Sequence, residues 1–312
     1  MLDTSFVPLS ALELRDAVRA AKPYNPLRLD RVLRVDEKLA LVEVQASSTW
    51  KTLAAHLRPG DAQAAGVRTT MPTVGESIAT NAAGPDGRPA VTHVESLTLV
   101  TPDGELRRLN RHANRDLFAL AVGGQGLFGA LYSVTLRVES LARAIEEAAP
   151  GERLVLAERS ARGQLVQLLV PPERIEACIA QVGARCDAWR TAIESVEVRR
   201  VRQESETYLR WAAREYAEIR VQVSEPGSLA GAVRTMQLAR DLIDVAIAHG
   251  GSFPIAGTPQ ATRAQVEACY PRLKSFLAEK RRLDPGERLV TPWYRHYRSL
   301  LAREGGEAPR AR

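Results

Sequence analysis

The residues best placed to do chemistry are glycines in two separated stretches. Gly75, Gly84 and Gly87 fall in one loop-like segment, and Gly123, Gly124, Gly126 and Gly129 fall in another. Glycine lets backbone N–H groups approach a phosphate or a flat ring with no Cβ in the way. Two such segments in one domain would cradle a dinucleotide; the alternative is tight turns and close strand packing. The second stretch precedes a strand rather than a helix. It therefore departs from the fingerprint in which a pyrophosphate rests on a helix N-terminus. His93 adjoins the first stretch, where it is either catalytic or a satisfied structural histidine. No Ser-His-Asp or Cys-His set stands at a recognisable spacing, so the sequence gives hydrolase chemistry no support. Cys178, Cys186 and Cys269 lie far from any metal-ligand pattern and read as buried, reduced thiols of a cytoplasmic protein.

Around these stretches the chain alternates strands and helices. Residues 11–21 read as a helix stopped by Pro23 and Pro26. Leu41–Gln45 is a strand, and Trp50, Leu53, Ala54 and Leu57 keep helical spacing up to a stop at Pro59-Gly60. Met71–Pro89 reads as loop. Val94–Thr101, a Pro102-Asp103-Gly104 turn and Leu106–Leu109 form a hairpin. A short helix opens at Asn114, and a strand runs through Val134, Leu136 and Val138. In the second half Leu165–Val170 is a strand, and Ile175 to Cys186 forms an apolar helical stripe. Strands at Val196–Val201 and Ile219–Val223 bracket a short helix near Tyr208 and Trp211. A long helix from Ser228 to His249 ends at Gly250-Gly251. This order suggests an α+β fold with antiparallel sheet.

Composition bounds the rest. The chain has 312 residues, with 45% hydrophobic and 26% charged, which excludes disorder or fibrous repeats for most of it. No apolar run approaches a membrane span, and the first residues, without a basic or an apolar stretch, read against a secretory signal. Forty-three basic against 37 acidic residues give a net charge of +6. With few aromatics and no finger spacing, that charge reads as a solvated basic surface rather than a nucleic-acid site.

The run Thr73-Val74-Gly75-Glu76-Ser77-Ile78-Ala79-Thr80-Asn81-Ala82-Ala83-Gly84 resembles the flavin loop of FAD-linked oxidases of the vanillyl-alcohol oxidase superfamily, with their PCMH-type FAD-binding domain. Residues 94–138 are similar in order and spacing. Arg210-Trp211-Ala212, Gly250-Gly251-Ser252-Phe253, Tyr270–Lys280 and Trp293–Tyr297 look like the cap and C-terminal end of a branch near the sugar-lactone oxidases. The likeness covers most of residues 30–300. It implies an α+β fold with two α+β subdomains binding FAD and an α+β cap with an antiparallel sheet. The expected division is 1–140 for a shortened FAD domain and 141–262 for the cap. A helical segment at 263–302 would return to the FAD domain, ahead of a disordered tail at 303–312. The implied reaction is hydride transfer to flavin N5 from a small alcohol, sugar or lactone carbon, without nucleic acid, metal or membrane span. Residue by residue, Thr73, Gly75, Ser77, Asn81 and Gly84 would line the pyrophosphate and isoalloxazine. Gly124, Gly126, Gly129, Val134 and Thr135 would pack near the dinucleotide. Tyr216 and Arg220, flanking a cap strand, would face substrate. His296 would approach the flavin edge, the alternative being an aromatic anchor on the core.

The departures from that pattern matter as much. Lys22-Pro23-Tyr24-Asn25-Pro26 stands where the family carries a glycine-rich pyrophosphate loop. The second glycine of the family's pair is Glu76. Ala83 replaces the histidine that carries covalent flavin in many members, so FAD would be held noncovalently. Pro254 onward lacks an expected Tyr-His pair. The sequence thus supports a divergent FAD-linked oxidoreductase acting on CH–OH groups. The alternative is a non-catalytic, partner-binding protein of the same fold that has lost FAD.

Overall fold

A computed structural model describes residues 6–57, 73–147, 163–224 and 227–302. The Pro59-Gly60 stop and the tail at 303–312 lie outside the described residues.

Among the described residues, two antiparallel sheets organise the fold. The first contains β1 (Val32–Asp36), β2 (Leu41–Gln45), β3 (Val94–Val100), β4 (Leu106–Asn110) and β5 (Ala130–Arg137), in the order β1-β2-β5-β3-β4. One face is apolar because Val42, Val44, Leu97, Val134 and Leu136 recur with strand period. Helices α2 (Trp50–Leu57), α3 (Val74–Thr80) and α4 (Arg115–Ala121) bury Leu53, Val74, Ile78 and Phe118 in the same cluster. At another end, α1 (Ala11–Arg19) packs Leu14 and Val18 with Val100 and Ala130. After β5 the chain enters α5 (Val138–Glu147).

The second sheet contains β6 (Gly163–Val170), β7 (Ile193–Val201) and β8 (Tyr216–Ser224), with β8 central. Its apolar face, with Ile219, Val221 and Val223 fully buried, is covered by α6 (Ile175–Ala188) and α7 (Leu229–Ala248). Three further helices follow: α8 (Arg263–Cys269), α9 (Leu273–Leu283) and α10 (Pro292–Ala302). Phe276, Tyr294 and Tyr297 from them join the core of the second sheet, together with Leu127 and Phe128 from the second glycine stretch.

Three local expectations are corrected. Residues 74–80, read as loop, are helical. Thr73 and Glu76 close a reciprocal capping box, and Asn81 ends the helix in the left-handed conformation, φ 51°. The strand through Val138 stops at Arg137, and Val138 opens α5. No helix forms near Tyr208 and Trp211. There Glu204 accepts from the amides of Glu206 and Thr207, which holds a compact turn instead.

Candidate functional site

The first glycine stretch is fixed by its own hydrogen bonds. At the start of α3, Val74 N donates to Ser48 O and Gly75 N to Ala46 O at 2.7 Å. Glu76 N and Ser77 N are taken by the Thr73 side chain and carbonyl. All four first-turn donors are therefore satisfied, which leaves this helix end closed to an anion. The Gly75 hydrogen faces the Ala46 carbonyl so closely that a Cβ would meet its oxygen at 2.6 Å. Ser77 Oγ accepts from Trp50 Nε1 at 2.8 Å and donates to Thr73 O.

Asn81, fully buried, joins three elements. Its Oδ1 accepts from Val91 N at 2.9 Å, and its carbonyl accepts from Trp211 Nε1 at 2.9 Å. Asn tolerates the left-handed backbone here, where most residues are strained. Further on, Gly87 at φ 73° lies against the Arg200 carbonyl, and its own carbonyl accepts from Arg202 N at 2.7 Å. The loop is thereby tied to the second sheet.

The two glycine stretches meet. Gly123 N donates to Ile78 O and Gln125 N to Ala79 O, both at 2.9 Å. Gly124 is pressed against the Leu120 carbonyl, and Gly129 against the Leu99 side chain. Gly126, at φ 72°, faces open space.

Where the stretches meet the second sheet there is a cavity of about 260 Å³. Thr80, Ala82, Ala83, Gly123 and Gln125 form one wall, and Leu209, Trp211 and the segment Pro254–Gly257 form others. The polar floor comes from the sheet: Gln167 on β6, Arg199 on β7, and Glu218 and Arg220 on β8. The alternation along β8 puts Ile219 and Val221 on the helix face and Glu218 and Arg220 on the cavity face. Glu218 accepts from Gln167 Nε2 at 2.6 Å and pairs with Arg199 Nε. Arg199 Nη1 and Arg220 Nε are buried with no hydrogen-bond partner. Arg199 pairs with Glu218 directly, whereas Arg220 makes no ion pair with it and feels it only as a nearby charge. Burial lowers the Arg220 pKa while Glu218 opposes that shift, and an arginine stays charged even so. The floor carries a net positive charge and spare donors, so it suits hydroxyl, carbonyl or carboxylate oxygens of a small molecule.

Arg220 is the one of the three chemical candidates that lines this cavity. Tyr216 is buried at the start of β8, outside the cavity lining, and burial raises its pKa. His296 lies on α10, edge-on to Tyr297 at 4.8 Å between ring centroids, with its Nε2 buried and unpartnered. It too is outside the lining. Of the residues expected near the dinucleotide, Val134 is fully buried among Val44, Val74 and Ile78 in the sheet core. Thr135 sits on the opposite face of β5, beside Ser133, which donates to Glu43. Gly84 adjoins Asp86 and His93 rather than the cavity. Glu218, Arg199 and Gln167 carry the floor but were not expected. The signal was present as the Glu218-x-Arg220 spacing on a strand whose intervening positions are apolar.

Comparison with known proteins supports a class once this geometry is in view. Residues 25–110 match the FAD binding domain family, a stretch that runs through β1 to β4 and includes α3. A FAD-linked oxidoreductase of Pyricularia oryzae, OXR2, is 54% identical over 43 residues, which cover 14% of this chain and 7% of that protein. These matches support FAD as the cofactor.

The residues fit the ring end of FAD better than its diphosphate. The cavity is below the roughly 300–1,000 Å³ typical of small-molecule sites, so it has room for part of a dinucleotide. Gly123 presents no side chain on its wall, Ala83 leaves no atom for a covalent flavin link, and the unpartnered Arg199 Nη1 and Arg220 Nε are donors for a ring edge or a substrate. By contrast, the amides of Gly75, Gly84, Gly123, Gly124 and Gln125 are all spent on protein carbonyls. At the shortened N-terminal loop, Asn25 N donates to Phe6 O, and Asn25 Oδ1 accepts from Leu27 N.

Proposed function

We propose that the protein is a FAD-dependent oxidoreductase that oxidises the CH–OH carbon of a small alcohol or sugar-like substrate, with FAD held noncovalently. The observation that carries this reading is the cavity whose floor sets Glu218, Arg199 and Arg220 beneath the two glycine stretches. Bound FAD supplies a two-electron acceptor. Gly123, Gln125, Ala82 and Ala83 would hold its ring system. Glu218 is placed to accept a hydrogen bond from a substrate hydroxyl, and Arg220 Nε to donate to a neighbouring oxygen, which together fix which carbon faces the ring. Leu209, Trp211 and Ile255 exclude water from that space. The three free cysteines fit a reducing compartment such as the cytoplasm. Anaerobic addition of a polyol panel to FAD-loaded protein tests the reading: loss of the flavin absorbance band with at least one substrate supports it. Retention of the band across the panel, by protein that binds FAD stoichiometrically, defeats it.

The internal bonding of the glycine-stretch amides favours a second reading, a partner-binding protein of this fold that no longer holds FAD. Absence of flavin uptake by folded protein would select it.

A further inference from the structure

The fold assembles a nucleophile-and-base set that the sequence does not reveal. Ser140, in the first turn of α5, lies 2.7 Å through its Oγ from His93 Nδ1. His93 is 4% exposed, and its other nitrogen, Nε2, stands 3.8 Å from Asp86 Oδ1 with no hydrogen-bond partner. The Asp86 side chain is fully buried. Burial alone would raise its pKa, but contacts with His93 and Arg88 hold it below the ordinary carboxylate value. The order Asp86, His93, Ser140 therefore runs from a buried anion through an imidazole to a hydroxyl, three residues dispersed over the loop after α3, the segment before β3 and α5.

The hydroxyl opens onto a groove separate from the cavity described above. Its volume is about 580 Å³, and its lining includes Leu41, Arg88, Thr92, Arg137, Ser140 and Arg143. Ser140 is half-buried at its wall. The first-turn amides of α5 have no intrahelical partners, and Val138 N is already bound to Ala40 O. The amides of Glu139 and Ser140 thus remain as donors at this helix end. Three arginines and two glutamates, Glu95 and Glu139, line the groove; Arg137 pairs with Glu95 and Arg88 with Asp86.

We propose that Ser140, His93 and Asp86 form a hydrolytic site for small carboxylic esters. Ser140 Oγ attacks the carbonyl carbon as its proton passes to His93 Nδ1. The alcohol departs with that proton, leaving an ester on Ser140. Water, deprotonated by His93, attacks that ester and releases the acid, which restores the serine.

A fluorophosphonate probe tests this with no flavin involved. Oγ displaces fluoride from phosphorus, and the adduct is located by peptide mass spectrometry. One adduct at Ser140 is expected, absent from Ser140→Ala. His93→Gln should label about 100-fold or more slowly, the scale of general-base assistance. Ser140→Cys, a near-isosteric change at a half-buried position, guards against misfolding of the histidine variant. Its new thiol should react with iodoacetamide at neutral pH at least about ten times faster than Cys269, because the imidazole promotes the thiolate. Folded wild-type protein that forms no adduct, forms it elsewhere, or gives a Ser140→Cys thiol no faster than Cys269 overturns the proposal.

Discussion

Replacing Asn81 separates two contributions that hold the first glycine stretch to the second sheet. In Asn81→Ala the Val91 N–H loses its acceptor in a site with no solvent access. An orphaned buried donor costs about 1–3 kcal/mol. Alanine must also adopt the left-handed backbone now held at φ 51°, ψ 42°, which costs about 1–2 kcal/mol. The long Asn81 Nδ2 to Glu204 contact, 3.5 Å, contributes little. The expected loss is therefore about 2–5 kcal/mol. Asn81→Gly removes the same acceptor but accepts the backbone freely, so it should recover about 1 kcal/mol relative to alanine. Urea unfolding followed by tryptophan fluorescence measures both. Trp211 reports directly, because its Nε1 donates to the Asn81 carbonyl. A midpoint for Asn81→Ala within about 0.5 kcal/mol of wild type would refute the reasoning, as would glycine falling below alanine.

Other perturbations follow from the same geometry. Arg220→Met should leave the melting temperature unchanged or raised, because Arg220 Nε has no partner to lose, while turnover of the FAD-loaded protein falls about 100-fold or more, seen in steady-state assays. Glu218→Gln leaves the Arg199 guanidinium without its paired carboxylate and should cost about 3–5 kcal/mol by urea titration. Asp284 is 2% exposed and pairs with the fully buried Lys280; burial raises its pKa, but Lys280 and the amides of Leu289 and Arg288 lower it more. A carboxyl depressed in the folded state stabilises above its unfolded pKa, and that stability is lost as pH falls through the lower folded value. Asp284→Asn should thus flatten the acid limb of the stability profile below about pH 4, measured by circular dichroism. Burial pushes the Cys178 thiol up to about 11, so it should resist alkylation at pH 8 in native protein and react only in denaturant, read by peptide mapping.

The sheets were legible because their strands alternate or run apolar between clear turns; Val42, Val44 and the β8 valines carry that signal. Helix α3 was hidden because Gly75 and two threonines obscure its period, although Thr73 and Glu76 spell a capping box. The turn at 204–211 was misread because tertiary bonds from Glu204 and Trp211, not periodicity, decide it. At the site, the glycines marked where the chain approaches itself closely, but not which way its amides point. That depends on carbonyls of Ala46, Ile78 and Ala79, which are brought in by the fold. Glu218 and Arg220 were two residues apart on one strand, whereas Asp86, His93 and Ser140 come together only when α5 folds back over the loop after α3.

The central claim is that the cavity above Glu218 and Arg220 receives the ring end of FAD. Titrating folded protein with FAD while following quenching of flavin fluorescence, with Arg220→Met and Ala83→Trp alongside, tests it most directly. The account predicts saturation at one FAD per chain, released on denaturation, with binding weakened at least tenfold by a bulky side chain at Ala83. No saturable binding by wild-type protein, or equal binding by all three proteins, would contradict it.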